Sequence, residues 1–119
     1  MAYDNNAAVL ERAIAAWNRA DMPGYLELYD EAIVLHGVEP GIDGVRTLYE
    51  QVWQRYPGSQ LTLDDVIVEG DRLACRYTWR ATDARGGPFI VPGTTIMHFR
   101  TGKCVERWDF EGKAQSVAQ

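Results

Sequence analysis

Basic residues, cysteines and long apolar runs are all scarce in this sequence, and each scarcity excludes a class of protein. The 119 residues include 12 Lys and Arg against 17 Asp and Glu, a formal net charge of −5. Binding to nucleic acid depends on basic residues that neutralise phosphates, so nucleic acid is not expected as a partner. No apolar run approaches the roughly 20 residues that span a bilayer, and the first residues lack the pattern of a secretory signal. We therefore expect no membrane segment and place the chain in the cytoplasm.

Motifs for metals, nucleotides and common hydrolytic chemistry are also missing. Cys75 and Cys104 are the only cysteines and have no CxxC spacing, so we expect buried, reduced thiols. His36 and His98 are far apart in the sequence, which makes a dedicated zinc site unexpected. The glycine-rich, GxSxG and HExxH signatures are absent. The sequence therefore predicts a reaction without a cofactor, or no reaction.

The first half of the chain carries three helical patterns. Apolar residues recur at helical spacing over 6–20. Asp21, followed by proline, marks the start of a short second helix that we expect to include Tyr29. Apolar and aromatic residues follow the spacing i, i+3, i+4, i+7 over 44–56, with Asp43 as the expected N-cap. The sequence thus begins as a helical layer.

The remaining segments have strand character. A short run rich in β-branched residues predicts a strand over 32–36. Turn residues then separate four further segments, and we predict strands over 61–69, 72–82, 88–100 and 104–111. Pro92-Gly93 should mark a bulge or bend in the third of these. Helices followed by an antiparallel meander predict one α+β domain, residues 1–119, in which three N-terminal helices cover one face of a curved sheet.

The helices and strands together carry much aromatic surface for one small core. Trp17, Tyr29, Tyr49 and Trp53 lie on apolar or boundary faces of the helical segments. A sheet bent around the third helix would leave a cavity lined by aromatic faces, which is the usual anatomy of a small-molecule site. These rings could equally fill the core alone. The polar residues among them must decide between the two interpretations.

Two polar residues are candidates for acid/base chemistry. His36 ends the short predicted strand at a loop, and histidine titrates near neutrality. Asp109 shares one face of the last strand with Arg107 by period-two alternation. The alternatives are a histidine of the core or surface and a solvated ion pair. For the strand over 72–82, either face could point toward a cavity.

Seven short motifs appear in a characteristic order: WNRAD at 17–21, LYDEA at 28–32, VLHG at 34–37, GIDGV at 41–45, VEGDRL at 68–73, VPGTT at 91–95 and GKCVERWD at 102–109. Their order resembles the SnoaL-like polyketide cyclase branch of the nuclear transport factor 2-like (NTF2-like) superfamily, which also contains ketosteroid isomerases and limonene epoxide hydrolases. The resemblance covers nearly the whole chain. It implies a cone-shaped, cystatin-like α+β barrel with a pocket between the helices and the inner sheet face, and a homodimer formed through the outer face.

The same resemblance implies roles for individual residues. His36 falls where ketosteroid isomerases carry their catalytic aspartate, and Asp109 falls where the cyclases and epoxide hydrolases carry an essential acidic residue. Arg76 resembles the epoxide hydrolases, but Thr78 stands where their acidic partner is expected, which makes epoxide opening the least favoured activity. Thr95 stands where the isomerases place a protonated carboxyl group.

Two functional hypotheses follow. In the first, the protein is a cofactor-independent enzyme that acts on a small hydrophobic carbonyl compound. The reaction is an aldol-type cyclisation, an isomerisation or a dehydration, and His36 and Asp109 share the acid and base roles. The substrate contacts would come from Trp17, Tyr29, Tyr49, Trp53, Arg76, Thr78 and Thr95. In the second, the same fold is a non-catalytic module that binds a small apolar molecule or another protein. The hypotheses differ in whether His36 and Asp109 reach one cavity.

Overall fold

The computed structural model describes residues 2–117, with side chains from residue 6 onward. Three helices form: α1 over Ala2–Asn18, α2 over Met22–Leu26 and α3 over Ile42–Arg55. The six strands are β1 over Tyr29–Leu35, β2 over Gln60–Glu69, β3 over Arg72–Asp83, β4 over Gly87–Arg100, β5 over Lys103–Glu111 and β6 over Gln115–Ser116. This arrangement confirms the predicted α+β class.

Local signals account for some helix boundaries and not for others. Asp21 caps α2 as predicted, because its carboxylate accepts a hydrogen bond from Gly24 N at 3.0 Å. Asp43 does not cap α3: Gly41 holds that position with a φ of 98°, and Asp43 lies within the first turn. Tyr29 is not helical either. It opens β1 and pairs with Cys104 of β5, so sheet pairing overrides the helical spacing of this segment.

The strands form one sheet in the order β1-β5-β4-β3-β2, and β6 pairs with β4. The pairs from β2 to β5 are antiparallel, as predicted. The expected sheet was wholly antiparallel, whereas β1 lies parallel to β5. A parallel pair needs a long connection, and here α3 and three strands separate the two partners in sequence.

Of the bulge or bend predicted at Pro92-Gly93, the bulge is wrong and the bend stays a prediction. Pro92 and Gly93 pair in unbroken register with Thr78 and Tyr77, and the register shifts of β2 and β4 lie elsewhere. The Pro92 carbonyl accepts a hydrogen bond from Gly112 N at 2.8 Å, just beyond the end of β5.

Alternation along the strands defines an inner and an outer face of the sheet. Leu73, Cys75 and Tyr77 of β3 are buried against the helices, whereas Arg72 and Arg76 are exposed. The core between the helices and the inner face centres on a set of fully buried residues, Leu28, Ile33, Val45, Leu73, Met97 and Cys104. Both cysteines are buried free thiols, as predicted. Among the helices described, none is long and apolar enough to cross a membrane.

Candidate active site

A cavity of about 440 Å³ is lined by α1, α3 and the inner faces of β3 and β5. Most of its wall is apolar, and its aromatic members are Trp17, Tyr25, Tyr49, Tyr56, Tyr77 and Trp79. The charged side chains of β5 in the wall are Arg107, Asp109 and Glu111, which alternate onto the inner face. An apolar pocket of this size with a few converging polar groups is typical of a small-molecule site.

Arg107 is a buried cation with a nearly complete set of partners. Its Nε donates to Thr95 Oγ1 and to Asp109 Oδ1, both at 3.1 Å, and its Nη2 lies 3.0 Å from the same Asp109 oxygen. Its Nη1 donates to the hydroxyl groups of Tyr25 and Tyr29. Burial alone lowers the pKa of Arg107, but Tyr29, Asp109 and the other neighbours more than offset it and raise the pKa. The guanidinium group therefore stays charged.

Tyr25 and Tyr29 form a buried hydroxyl pair with their oxygens 2.7 Å apart. Burial raises the pKa of both phenols well above the usual value, so both are neutral near pH 7. Their mutual bond uses one of the two hydroxyl hydrogens. Tyr25 lines the cavity and Tyr29 lies behind it, so Tyr25 can donate to a ligand when Tyr29 donates to Tyr25.

The two carboxylate oxygens of Asp109 differ in their hydrogen bonding. Oδ1 accepts the bonds from Arg107, whereas Oδ2 has no hydrogen-bond partner within residues 6–117. The side chain is 24% exposed and lines the cavity. A carboxylate that is fixed at one oxygen and open at the other can accept a proton from a molecule in the cavity.

His36 lies against the outer face. Its Nε2 is 2.8 Å from Glu106 Oε2, and its ring stacks on Trp108 with centroids 5.0 Å apart. Glu106 and Trp108 alternate with Arg107 and Asp109 along β5, so the two pairs point to opposite faces. His36 contributes to the cavity wall, but the structure does not bring its imidazole and the Asp109 carboxylate together. Both residues thus line the cavity, while the partners of their side chains lie on opposite faces of β5.

Arg76 and Thr78 also lie on the outer face. Arg76 is exposed, and Thr78 Oγ1 donates to Asp64 Oδ2 at 2.6 Å. The apolar side of β3, with Cys75 and Tyr77, is the side buried against the core. This corrects the expectation that Arg76 and Thr78 contact a substrate in the cavity.

The remaining predicted contact residues lie at or just behind the cavity wall. Trp17 and Tyr49 line it directly. Thr95 is buried behind Arg107, and its hydroxyl donates to the Trp108 carbonyl at 2.8 Å, which leaves a lone pair for Arg107 Nε. Trp53 packs edge-on against Trp17, with ring centroids 5.1 Å apart, and does not line the cavity.

Tyr25, Tyr77 and Glu111 line the site but were not among the predicted site residues. Continuing the alternation two residues beyond Asp109 would have found Glu111. Tyr25 does have a signal, because it is an aromatic residue of the predicted second helix, four residues before Tyr29. Its hydroxyl pair with Tyr29 forms between α2 and β1. Over the part of the chain with described side chains, no group of three His, Cys, Asp or Glu residues is placed to hold a metal ion.

Comparison with known proteins places this fold and cavity in a family. A family model described as the SnoaL-like domain matches residues 10–107 of this chain. AclR from Streptomyces galilaeus, provisionally assigned as a hydroxylase, is 26% identical, with 92% of this chain and 90% of AclR covered and a TM-score of 0.81. No curated protein matches the sequence at a significant level.

Two further structures share the fold. IdmH from Streptomyces antibioticus, provisionally assigned as a polyketide cyclase, is 22% identical, with 89% of this chain and 91% of IdmH covered and a TM-score of 0.78. An NTF2-like protein from Burkholderia pseudomallei K96243 is 22% identical, with 91% of each chain covered and a TM-score of 0.81. The chain belongs to the SnoaL-like domain family, as the order of its motifs predicted.

Proposed function

We propose that the protein is an acid/base enzyme that acts without a cofactor on a small hydrophobic molecule bearing a carbonyl group. The observation that carries the proposal is the position of Asp109. Arg107 holds its Oδ1, and its Oδ2 is free in a cavity whose wall is mostly aromatic and aliphatic. A base placed in this way has few water molecules competing for the proton of a bound ligand.

In the proposed reaction, Asp109 Oδ2 removes a proton from the carbon next to the carbonyl group. The electron pair of the C–H bond moves toward the carbonyl oxygen, which gains negative charge. The Tyr25 hydroxyl donates a hydrogen bond to that oxygen, and Tyr29 and Arg107 stabilise the donor from behind. Preorganised donors at a developing oxyanion are usually the largest single contribution to such catalysis.

The fate of the enolate then decides the reaction. Return of the proton to another carbon gives isomerisation. Attack of the enolate carbon on a second carbonyl gives an aldol ring closure, and the proton held by Asp109 passes to the new alkoxide. Loss of a β-hydroxyl group, protonated by Asp109 as it leaves, gives dehydration. All three require the same base and the same oxyanion donor.

One structural neighbour supports a cyclase-type role. IdmH is provisionally assigned as a polyketide cyclase, whereas AclR is provisionally assigned as a hydroxylase. Ring closure of a polyketide joins carbon atoms of a carbonyl-rich chain, so it needs an enolate of the kind proposed above. We therefore rank the aldol-type cyclisation first among the three reactions.

Exchange of carbon-bound hydrogen tests the proposal without knowledge of the natural substrate. Bicyclic ketones that raise the melting temperature are incubated with the protein in D₂O, and loss of the α-proton signal is followed by NMR. Asp109→Asn should lower the rate by about 10²–10⁴. Glu106→Gln is the matched control, because this carboxylate lies on the opposite face of β5.

Unchanged exchange in Asp109→Asn would overturn the assignment of the base. His36→Ala should retain most of the rate, because its imidazole faces Glu106 and Trp108. Tight binding of ketones with no exchange in the wild-type protein would instead favour the non-catalytic binding module.

We further propose that the outer sheet face binds a second copy of the chain. Ile67, Ile96 and Phe110 are 66, 45 and 67% exposed on this face. Ile67 and Ile96 both pair with Ala74, and Ile96 also pairs with Trp108, so apolar residues cross four strands on one line. Burial of such a patch is a common basis for association. Ile96→Glu should convert a dimer into a monomer in light scattering, and a monomeric wild-type protein would contradict this proposal.

A further inference from the structure

Glu111 is the charged residue of the cavity wall that the proposed reaction does not use. It follows Arg107 and Asp109 on the inner face of β5 and lies at the exposed edge of the cavity. Its carboxylate has no hydrogen bond or ion pair with any residue whose side chain is described. Glu111 is therefore available to a ligand.

The cavity wall carries one arginine and two carboxylates. Arg107 and Asp109 neutralise one another at 3.0 Å, which leaves the charge of Glu111 uncompensated. The nearby cation Arg55 does not line the cavity: its Nε donates to Tyr56 Oη at 2.9 Å, and its side chain is exposed. A carboxylate or phosphate ligand would place like charge beside Glu111, which disfavours its binding.

An aromatic surface faces Glu111 across a glycine. Gly93 of β4 pairs with Tyr77 on one side and with Glu111 on the other. With no side chain at Gly93, the Tyr77 ring lies directly over it: a Cβ there would be 2.3 Å from Tyr77 Cζ. Burial is the main cause that raises the pKa of Tyr77, and the negative charges of Asp109 and Glu111 raise it further. This phenol therefore stays neutral. A cation is attracted to the face of an aromatic ring, and a free carboxylate beside the ring adds Coulomb attraction for a bound ammonium group.

We propose that the cavity recognises a hydrophobic ligand with a protonated amine at one end, and that Glu111 and the Tyr77 ring bind this amine. The amine would lie toward the mouth of the cavity. The Tyr25 hydroxyl, which itself accepts a hydrogen bond from Arg107, would donate one to an oxygen atom at the other end of the ligand. Glu111 then acts as a specificity residue and takes no part in proton transfer. The inference rests on the proposed function only in taking this cavity as the ligand site.

Three ligands on one scaffold test the inference: 2-naphthylmethylamine, 2-naphthylmethanol and 2-naphthylacetic acid. Their affinities for the wild-type protein, Glu111→Gln and the outer-face control Glu106→Gln are measured by isothermal titration calorimetry at pH 7. We expect the wild-type protein to bind the amine most tightly and the acid least. Glu111→Gln should reduce the preference for amine over acid by about fivefold, the upper range for exposed ion pairs. Glu106→Gln should leave it unchanged.

Equal affinity of the wild-type protein for the amine and the acid would overturn the inference. A Glu111→Gln variant that weakens all three ligands equally would also overturn it, because that result indicates a general loss of the pocket. The alcohol serves as the check on folding and on the apolar wall. Since the titration involves no turnover, its failure leaves the role of Asp109 untouched, and a failure of hydrogen exchange leaves this inference untouched.

Discussion

Substitution of Gly93 by alanine should disturb the site through one side chain. A Cβ at this position would lie 2.3 Å from Tyr77 Cζ, 2.5 Å from its hydroxyl oxygen and 2.8 Å from Cε1. Gly93 has no positive φ, so alanine meets no backbone strain there. The whole effect of Gly93→Ala should therefore come from the displaced phenol ring.

The size of the effect follows from these distances. Carbon atoms that are not bonded rest about 3.5–4.0 Å apart, so the Tyr77 ring must move by more than about 1 Å. Forced repacking of this kind costs about 1–3 kcal/mol of the free energy of unfolding. Tyr77 lines the cavity, so a displaced ring should also weaken ligand binding in Gly93→Ala.

A double-mutant cycle in urea unfolding measures this contact. Leucine lacks Cζ, Oη and Cε1, so Gly93→Ala should cost little in a Tyr77→Leu background, and the coupling energy should be about 1–3 kcal/mol. Gly86→Ala is the matched control, because a Cβ there has only Asp83 Cβ within 4 Å, at 3.9 Å. It should be neutral or stabilising by about 0.4–1 kcal/mol. An equal cost of Gly93→Ala in both backgrounds would refute the reasoning.

Three other predictions concern the groups around Arg107. Thr95→Val removes an acceptor for Arg107 Nε and should lower the free energy of unfolding, measured in urea, by about 1–3 kcal/mol. Thr94 is exposed, so the control Thr94→Val should change it by less than about 0.5 kcal/mol. Equal effects of the two substitutions would contradict the role of Thr95. Burial raises the pKa of the buried tyrosines, and it raises the pKa of Cys75 to about 11 and that of Cys104 to about 12. The folded state thus keeps protons that the unfolded chain releases once the pH exceeds about 8.5 for cysteine and about 10 for tyrosine. Stability is therefore complete below about pH 8, and the melting temperature should fall between about pH 8.5 and 11, less steeply at the upper end in Tyr29→Phe. A constant melting temperature would argue against burial. Iodoacetamide should label Cys75 slowly at pH 7.5, because its thiol is neutral. Cys75 lines the cavity, so a bound ketone should slow the labelling further, as followed by mass spectrometry. An unchanged labelling rate would mean that the ketone binds outside the cavity.

Much of the fold was accessible from the sequence because it depends on local patterns. Helical spacing located α3, and turn residues separated the strands of the meander. Two features could not be read in this way. Tyr29 leaves its helical pattern to pair with β5, and β1 joins the sheet in parallel to a strand about 70 residues away. Both depend on contacts between distant segments, which override local preference.

The predictions for the site residues differ in the same way: some depend on a local pattern and others on how distant segments pack. Alternation placed Arg107 and Asp109 on one face, and the structure puts that face in the cavity. The same rule cannot say which face of β3 is inner. Arg76 is expected in the cavity only through the resemblance to epoxide hydrolases, and its side chain is exposed on the outer face. His36 follows the last residue of β1, and one further step along the chain turns its side chain to the outer face. A site residue at the end of a strand is therefore harder to place than one within it.

The most direct test of the central claim is the structure of the protein with a bicyclic ketone bound. The account predicts that the ketone oxygen lies about 2.7–3.2 Å from an Oη or Nη atom of the Tyr25–Arg107 group. It also predicts that the α-carbon lies about 3–3.5 Å from Asp109 Oδ2. A ketone whose α-carbon lies away from Asp109, or one bound against His36 and Trp108 on the outer face, would contradict the account.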